Sequence, residues 1–447
     1  MSVDDVVISG MSGRFPMADT TDEFAGNLFA GVDMVTEDDT RWPTDIFNVN
    51  NRFGKILTYN RFDSTFFGLT EAVVNNLDPQ GSMQLETVYE AIVDAGVNPN
   101  DLRGTKTGVY VGAMDMSVIG HINTDMFQPD IPGNLQSHLY RSTCEQNLFY
   151  ASRISFVFDL KGPSMIVDTA CSSSATAFEF AYIQIMAGRL DTALVVGTNM
   201  QLDQSNMRLF QELGMCSPRG VSAPLDREAD GYVKSEVVGC LLLQRRANAR
   251  RVYAAIRAVR VNNDGYKMDG MFHPSDAAQE ELIADTVADA GINPLDVTYI
   301  EGHLTSTKVG DVEEVKAIYS AYCKIPGRKT PLPIGALKSN LGHTEASSGL
   351  ASIIKVLISY ENECIPPNIN LNQLKDELAA YFPPLMSVSK LQQYVPGMGG
   401  TNAHIILEPN YKLLRSDGLR IAQTIPRIVN ICGRTQQSVK HIMDFIE

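Results

Sequence analysis

Met165-Ile166-Val167-Asp168-Thr169-Ala170-Cys171-Ser172-Ser173-Ser174 is the stretch from which the fold is read. Met165 to Val167 is an apolar run and predicts a short buried strand. Downstream, Ala175, Phe178, Ala181, Tyr182 and Ile185 recur at spacings of three and four, the mark of a helix with one buried face. Cys171 therefore falls on a strand-to-helix turn. There, unpaired N–H groups and the positive end of the helix dipole favour an anion. A free thiol, with a pKa of about 8.5, is readily lowered at such a site. The three serines suit a tight turn. This local pattern fits a nucleophile; it also fits a buried structural cysteine, the commoner case for a cysteine taken alone.

Outward from that turn, strands and helices alternate. Val6 to Ser9 predicts the first strand, with Gly10 to Pro16 as a turn. Asp78-Pro79-Gln80 opens a helix that runs to Gly96, with proline where its missing N–H is harmless. Thr107–Gly112 and Thr192–Gly197 predict strands, and Gly231–Gln244 a strand pair. A second half restarts at Val252–Val259. It continues through a helix near Ala277–Ala290, a strand at Val297–Ile300, a helix at Val312–Cys323, a strand at Pro333–Ala336, a helix at Ser347–Glu361 and a strand at Ile405–Leu407. Such alternation implies α/β layers with buried sheets. After about residue 410 the pattern changes, and Pro426–Ile431 with Thr435–Phe445 reads as the start of another module.

The totals bound the class. The chain has 447 residues, 44% hydrophobic and 20% charged, a globular balance. A net charge of −15 argues against a general nucleic-acid binder, which needs a basic surface. Seven scattered cysteines without metal-ligand spacing fit reduced thiols and a cytoplasmic setting. The N-terminus carries no signal-peptide pattern, and no apolar run reaches the roughly 18 residues of a membrane span.

Two further stretches place a histidine just past a strand, where α/β sheets build their sites. They are Glu301-Gly302-His303-Leu304-Thr305-Ser306-Thr307-Lys308-Val309-Gly310-Asp311 and Leu337-Lys338-Ser339-Asn340-Leu341-Gly342-His343-Thr344-Glu345. A last loop, Gly397-Met398-Gly399-Gly400-Thr401-Asn402, precedes the final strand, and its glycines allow close backbone approach to a ligand.

In that order, the four motifs resemble those of the ketosynthase domain of fatty acid and polyketide synthases, over essentially residues 1–410. The opening, Val6 to Pro16, and the helix around Tyr89-Glu90-Ala91 look like the animal fatty acid synthase branch. The resemblance implies the thiolase fold: two similar halves, about 1–250 and 251–410, in α-β-α-β-α layers, in a homodimer. Residues 411–447 look like the start of the linker to a downstream acyltransferase domain. Cys171 would be the acylated nucleophile. His303 and His343 would bind the extender's thioester carbonyl and promote its decarboxylation, with Lys338 and Glu345 ordering the His343 side. Backbone N–H groups of Cys171 and Met398 would form an oxyanion hole. Thr305 and Thr307 would contact the phosphopantetheine arm of acyl carrier protein, and Asn402 would support the last loop. The chemistry calls for no metal and no cofactor within the domain. His121, His138, His273, His404 and His441 match no catalytic position and read as structural or surface groups.

The departures are specific. Met398 stands where the family usually has a phenylalanine that gates the acyl pocket, Phe272 where it has a pocket threonine, and Leu304 and Ser306 where it has glycines. These favour an animal-type polyketide synthase with a reshaped site that accepts other acyl chains, α-methyl-branched ones among them. The alternatives are the ketosynthase of an animal fatty acid synthase and an inactive ketosynthase-like scaffold. A degradative thiolase is disfavoured, because no cysteine lies between Cys364 and Cys432 to serve in the final glycine-rich loop.

Overall fold

The computed structural model describes residues 2–43, 49–74, 77–114, 149–202, 204–268, 270, 273–393, 403–410 and 440. The chain divides into compact units Met1–Pro409 and Asn410–Glu447, and the first carries every element below.

The strands of the two larger sheets are β1 (Val6–Arg14), β2 (Gly108–Gly112), β3 (Ser164–Val167), β4 (Thr192–Asn199), β5 (Val237–Arg245), β6 (Ala254–Val261), β7 (Ile300–Glu301), β8 (Leu332–Gly335), β9 (Leu385–Ser387) and β10 (Ala403–Pro409). The longer α-helices are α1 (Thr21–Phe29), α2 (Pro79–Asp94), α3 (Tyr150–Phe158), α4 (Ser173–Met186), α5 (Gln204–Glu212), α6 (Asp276–Ala290), α7 (Gly310–Ile318) and α8 (Ser348–Glu361). Local chemistry sets several ends. Asp78 caps α2 by accepting from the Gly81 N–H, with Pro79 at the first helical position. Gly291, at φ +62°, closes α6 in the left-handed conformation.

Seven strands join in one sheet, in the order β10-β6-β1-β5-β4-β2-β3. β2 runs parallel to β3 and β4, and the other pairings are antiparallel. A second, parallel sheet has the order β9-β8-β7. The halves are therefore not two separate sheets: β6 and β10, from the second half, extend the first sheet through Val7↔Ala255 and Ile8↔Ala254. Helices α4 and α8 form the central layer, so close that a Cβ on Gly349 would stand 2.7 Å from that of Ala175. α2 and α3 cover the far face of the large sheet, and α6 packs on α7 and on β6 and β10 of that same sheet, in a cluster that also takes in Ile300 and Ile334 of the small one. Among the described residues, no helix is long and apolar enough to cross a membrane.

Two local expectations change. β1 does not end at Ser9 but continues to Arg14. Gly10 is there for approach rather than for a turn: a Cβ would lie 2.1 Å from the Ala91 carbonyl of α2. β3 is an edge strand, and Met165 is 38% exposed rather than buried.

Candidate active site

Cys171 sits in a single 3₁₀ turn, Ala170–Ser172, between β3 and α4. The turn is sharp, with Ala170 at φ +54°. Its neighbours knit it shut. Asp168 Oδ1 accepts from the Ala170 N–H at 3.0 Å, Ser173 Oγ accepts from the Thr169 N–H at 2.9 Å, and Ser172 Oγ donates to the Thr169 carbonyl at 2.9 Å. The serine run is thus turn chemistry, as its composition suggests.

The two histidine loops converge on this turn. Single ligating atoms of Cys171, His303 and His343 lie within 4.8 Å of one another. Hydrogen bonds fix both imidazoles in one tautomer. His303 Nδ1 accepts from Lys338 Nζ at 3.0 Å. His343 Nδ1 accepts from the Glu345 N–H at 3.0 Å, with Ser348 Oγ at the same distance. With Nδ1 accepting, each neutral ring carries its hydrogen on Nε2. The site therefore holds two N–H donors beside a thiol, and those Nε2 atoms are donors rather than free lone pairs for a metal. Burial holds both histidines well below 6.5, and the Lys338 cation reinforces this.

Lys338 is itself buried and is lowered to about 8 by desolvation, against the pull of the Glu314 carboxylate. Its Nζ also donates to the His303 carbonyl at 2.6 Å. Cys171 does not match the lowered thiol expected of a helix start. Burial raises it to about 11, the Glu345 carboxylate adds to this, and Lys338 and Lys234 oppose. The resting group is the thiol.

Of the two residues expected on the His343 side, Lys338 instead holds His303, because its Nζ reaches that ring and that carbonyl, whereas Glu345 does meet His343, through its backbone N–H. Its buried carboxylate is held by Lys234 Nζ at 2.5 Å and Gln201 Nε2 at 2.8 Å. Thr305 and Thr307 share a hydrogen bond of 3.0 Å. Thr307 lines a cleft of about 450 Å³ together with Lys308, Gly310, Asp230, Gly231 and His273, which places His273 at this opening. His404 is a buried structural group, with Nε2 2.7 Å from the Tyr322 hydroxyl. Phe272, Met398, Asn402, His121, His138 and His441 lie outside the described residues.

Sequence reasoning missed Glu314 and Tyr232. Glu314 accepts from the His303 and Leu304 N–H groups at 2.6 and 2.7 Å, and so sets the loop that presents His303. Its signal is a carboxylate beside Val315 on a buried helix face. Tyr232 stands edge-on to His343, with ring centroids 4.7 Å apart; nothing in its local sequence marks it.

The model of the beta-ketoacyl synthase N-terminal domain matches residues 3–249, that of the C-terminal domain residues 253–372, and that of the ketoacyl-synthetase C-terminal extension residues 395–447. The fatty acid synthase of Anser anser anser is 42% identical over 360 residues, which cover 80% of this chain and 99% of the goose sequence. The reducing polyketide synthase pksF of Alternaria solani is 36% identical over 449 residues, which cover 93% of this chain but 19% of that protein. Among solved structures, the oxazolomycin ketosynthase domain OzmH KS7 of Streptomyces albus aligns with a TM-score of 0.81 at 29% identity, over 91% of this chain and 74% of that one. A ketosynthase from module 6 of the Bacillus subtilis bacillaene synthase gives 0.80 at 29% identity, over 91% and 72%. The fold is that of these ketosynthases, the thiolase fold.

Proposed function

The chain belongs to the beta-ketoacyl synthase family of acyl-transferring condensing enzymes, and from that premise we propose that it extends an acyl chain held on Cys171 by decarboxylative Claisen condensation. One observation carries the reading: the Cys171 thiol and two imidazoles in the Nε2–H form meet within 4.8 Å.

The steps balance on these groups. The Cys171 sulfur attacks the carbonyl carbon of an acyl thioester, the bond to the pantetheine sulfur breaks, and that sulfur leaves with the thiol proton. Covalent capture divides one difficult step into two. A malonyl or methylmalonyl thioester then loses carbon dioxide. The bond between Cα and the carboxylate breaks, and its electron pair spreads onto the thioester oxygen, which accepts from Nε2–H of His303 and His343. Preformed donors suit this developing charge because they need no reorganisation. Cα next attacks the acyl-Cys171 carbonyl. A C–C bond forms, the C–S bond breaks, and the Cys171 thiolate takes up from solvent the one proton that the condensation consumes overall, as its raised pKa favours. Backbone N–H groups of Cys171 and Met398 serve the two acyl-transfer steps, and Asn402 supports the Met398 loop.

Substrates arrive on the phosphopantetheine of acyl carrier protein, with Thr305 and Thr307 on the arm and the cleft beside Lys308 as its entrance. Two copies pair through the β3 edge, where Met165 and the 80% exposed Phe156 of α3 present apolar surface. Residues 1–410 form the ketosynthase domain, in halves about 1–250 and 251–410, and 411–447 begin the linker to an acyltransferase domain.

Leu304, Ser306, Phe272 and Met398 favour a polyketide synthase that accepts branched chains. The second reading, a fatty acid synthase, draws on the 42% identity to the goose protein. Elongation of straight and α-methyl-branched acyl-pantetheines by the purified chain and by Met398→Phe separates the two. Faster use of branched chains, reversed in Met398→Phe, supports the polyketide reading; equal or better use of straight chains with malonyl units supports the other.

A further inference from the structure

The backbone from His303 to Thr307 takes a path that side chains resist. Leu304 lies at φ +36° and Ser306 at φ +63°, and both are fully buried. Outside glycine, such conformations persist only where surrounding contacts over-determine them. For Leu304 the compensation is packing among Leu225, Ile283, Ile300 and their neighbours. For Ser306 it is hydrogen bonding, and all three of its polar groups are used. Its N–H donates to Asp311 Oδ1 at 2.9 Å, its carbonyl accepts from the Gly231 N–H at 3.0 Å, and its Oγ accepts from the Ala223 N–H at 2.8 Å.

Two of those three bonds reach a separate segment, 222–235, and that segment holds the other histidine. The His343 N–H donates to the Val233 carbonyl at 2.6 Å, the Ser235 N–H donates to the His343 carbonyl at 2.9 Å, and the Tyr232 ring packs on the imidazole. The segment is stiff. Ser222 Oγ accepts from the Val233 N–H at 2.9 Å, and Gly231, at φ +138°, has no room for a Cβ, which would lie 2.6 Å from the Met215 carbonyl. A short path of fixed contacts thus runs from His303 through Ser306 to Ala223 and Gly231, and on through Val233 to His343. A parallel tie closes it: Asp311 Oδ2 accepts from the Leu225 N–H at 2.8 Å.

We propose that Ser306 is a positioning residue that fixes the separation of the two imidazoles by clamping the His303 loop to the segment that carries His343. This rests on the ketosynthase reading and deepens it. Two donors stabilise one oxygen only when both reach it at hydrogen-bond distance and angle. Acyl capture on Cys171 needs no such match between the rings. The clamp therefore acts on decarboxylation and leaves acylation alone.

The test separates the two half-reactions on the full chain. Ser306→Gly removes the hydroxyl and frees the backbone to keep its conformation; Ser306→Ala removes the hydroxyl and keeps the Cβ. Carbon dioxide release from malonyl-pantetheine and the rate of acyl-Cys171 formation from an acyl-pantetheine, read by mass spectrometry, are compared with wild type. In Ser306→Ala, carbon dioxide release falls by about tenfold or more while acylation stays within about twofold; Ser306→Gly, which holds the same backbone without strain and keeps the bonds to Asp311 and Gly231, loses less. Equal loss of both rates, whether in folded protein or through unfolding, would show a merely structural role and overturn the proposal, as would two unchanged rates. A wild-type chain that neither acylates Cys171 nor releases carbon dioxide would instead overturn the ketosynthase reading.

Discussion

His303 and His343 end as the same chemical species, a neutral imidazole with hydrogen on Nε2, yet the two loops reach it by different means. The His303 ring is held by a side-chain cation, Lys338, and its backbone by a side-chain carboxylate, Glu314. The His343 ring is held by a backbone N–H, that of Glu345, whose own φ of +45° aims it there. The ion pair of Glu345 with Lys234 stands one layer further back. One tautomer thus depends on a group that titrates near neutrality, and the other on one that does not titrate at all. Matching donors can therefore differ in their response to pH while serving one oxygen.

The largest expected effect tests the likeness. His303→Ala and His343→Ala each remove one donor, and each lowers carbon dioxide release from a malonyl thioester by about 10²–10³. Cys171 acylation falls far less in both. If one variant keeps wild-type decarboxylation, the two rings do not share the oxygen.

A smaller effect tests the difference. Lys338 loses its charge as pH rises through about 8. A neutral amine can accept from Nδ1–H, which leaves His303 Nε2 bare and turns a donor into an acceptor. Decarboxylation is therefore level between about pH 6 and 7.5, because both histidines stay neutral below their ordinary 6.5, and declines above about 8. Lys338→Met runs about tenfold slower and lacks that decline. An alkaline decline that survives in Lys338→Met assigns it to another group.

Much of this site was legible in the sequence. Cys171 lies on its strand-to-helix turn, and His303, Lys338 and His343 stand past β7 and β8, because those signals are local in periodicity and order. The bounds of α2 and α8 are legible to within two residues, and the buried face of α4 in its spacing, for the same reason. What was not legible depends on contacts remote in sequence. Gly10 looks like part of a turn until α2 is packed on β1. The Cys171 thiol looks acidic from its helix start alone, until burial and the Glu345 carboxylate are added. Lys234 reads as one more cation until it meets Glu345 across the fold. Leu304 and Ser306 read as lost glycines, whereas the fold keeps the glycine-like backbone and pins it with Asp311 and Ala223.

The central claim is that Cys171 carries the acyl chain while the histidines act on the extender. Mass spectrometry of the purified chain after exposure to an acyl-pantetheine, with peptide mapping and Cys171→Ala alongside, tests it most directly. The account predicts a single acyl group, located on Cys171 and absent from Cys171→Ala. An unmodified Cys171, or an adduct that persists in Cys171→Ala, contradicts it.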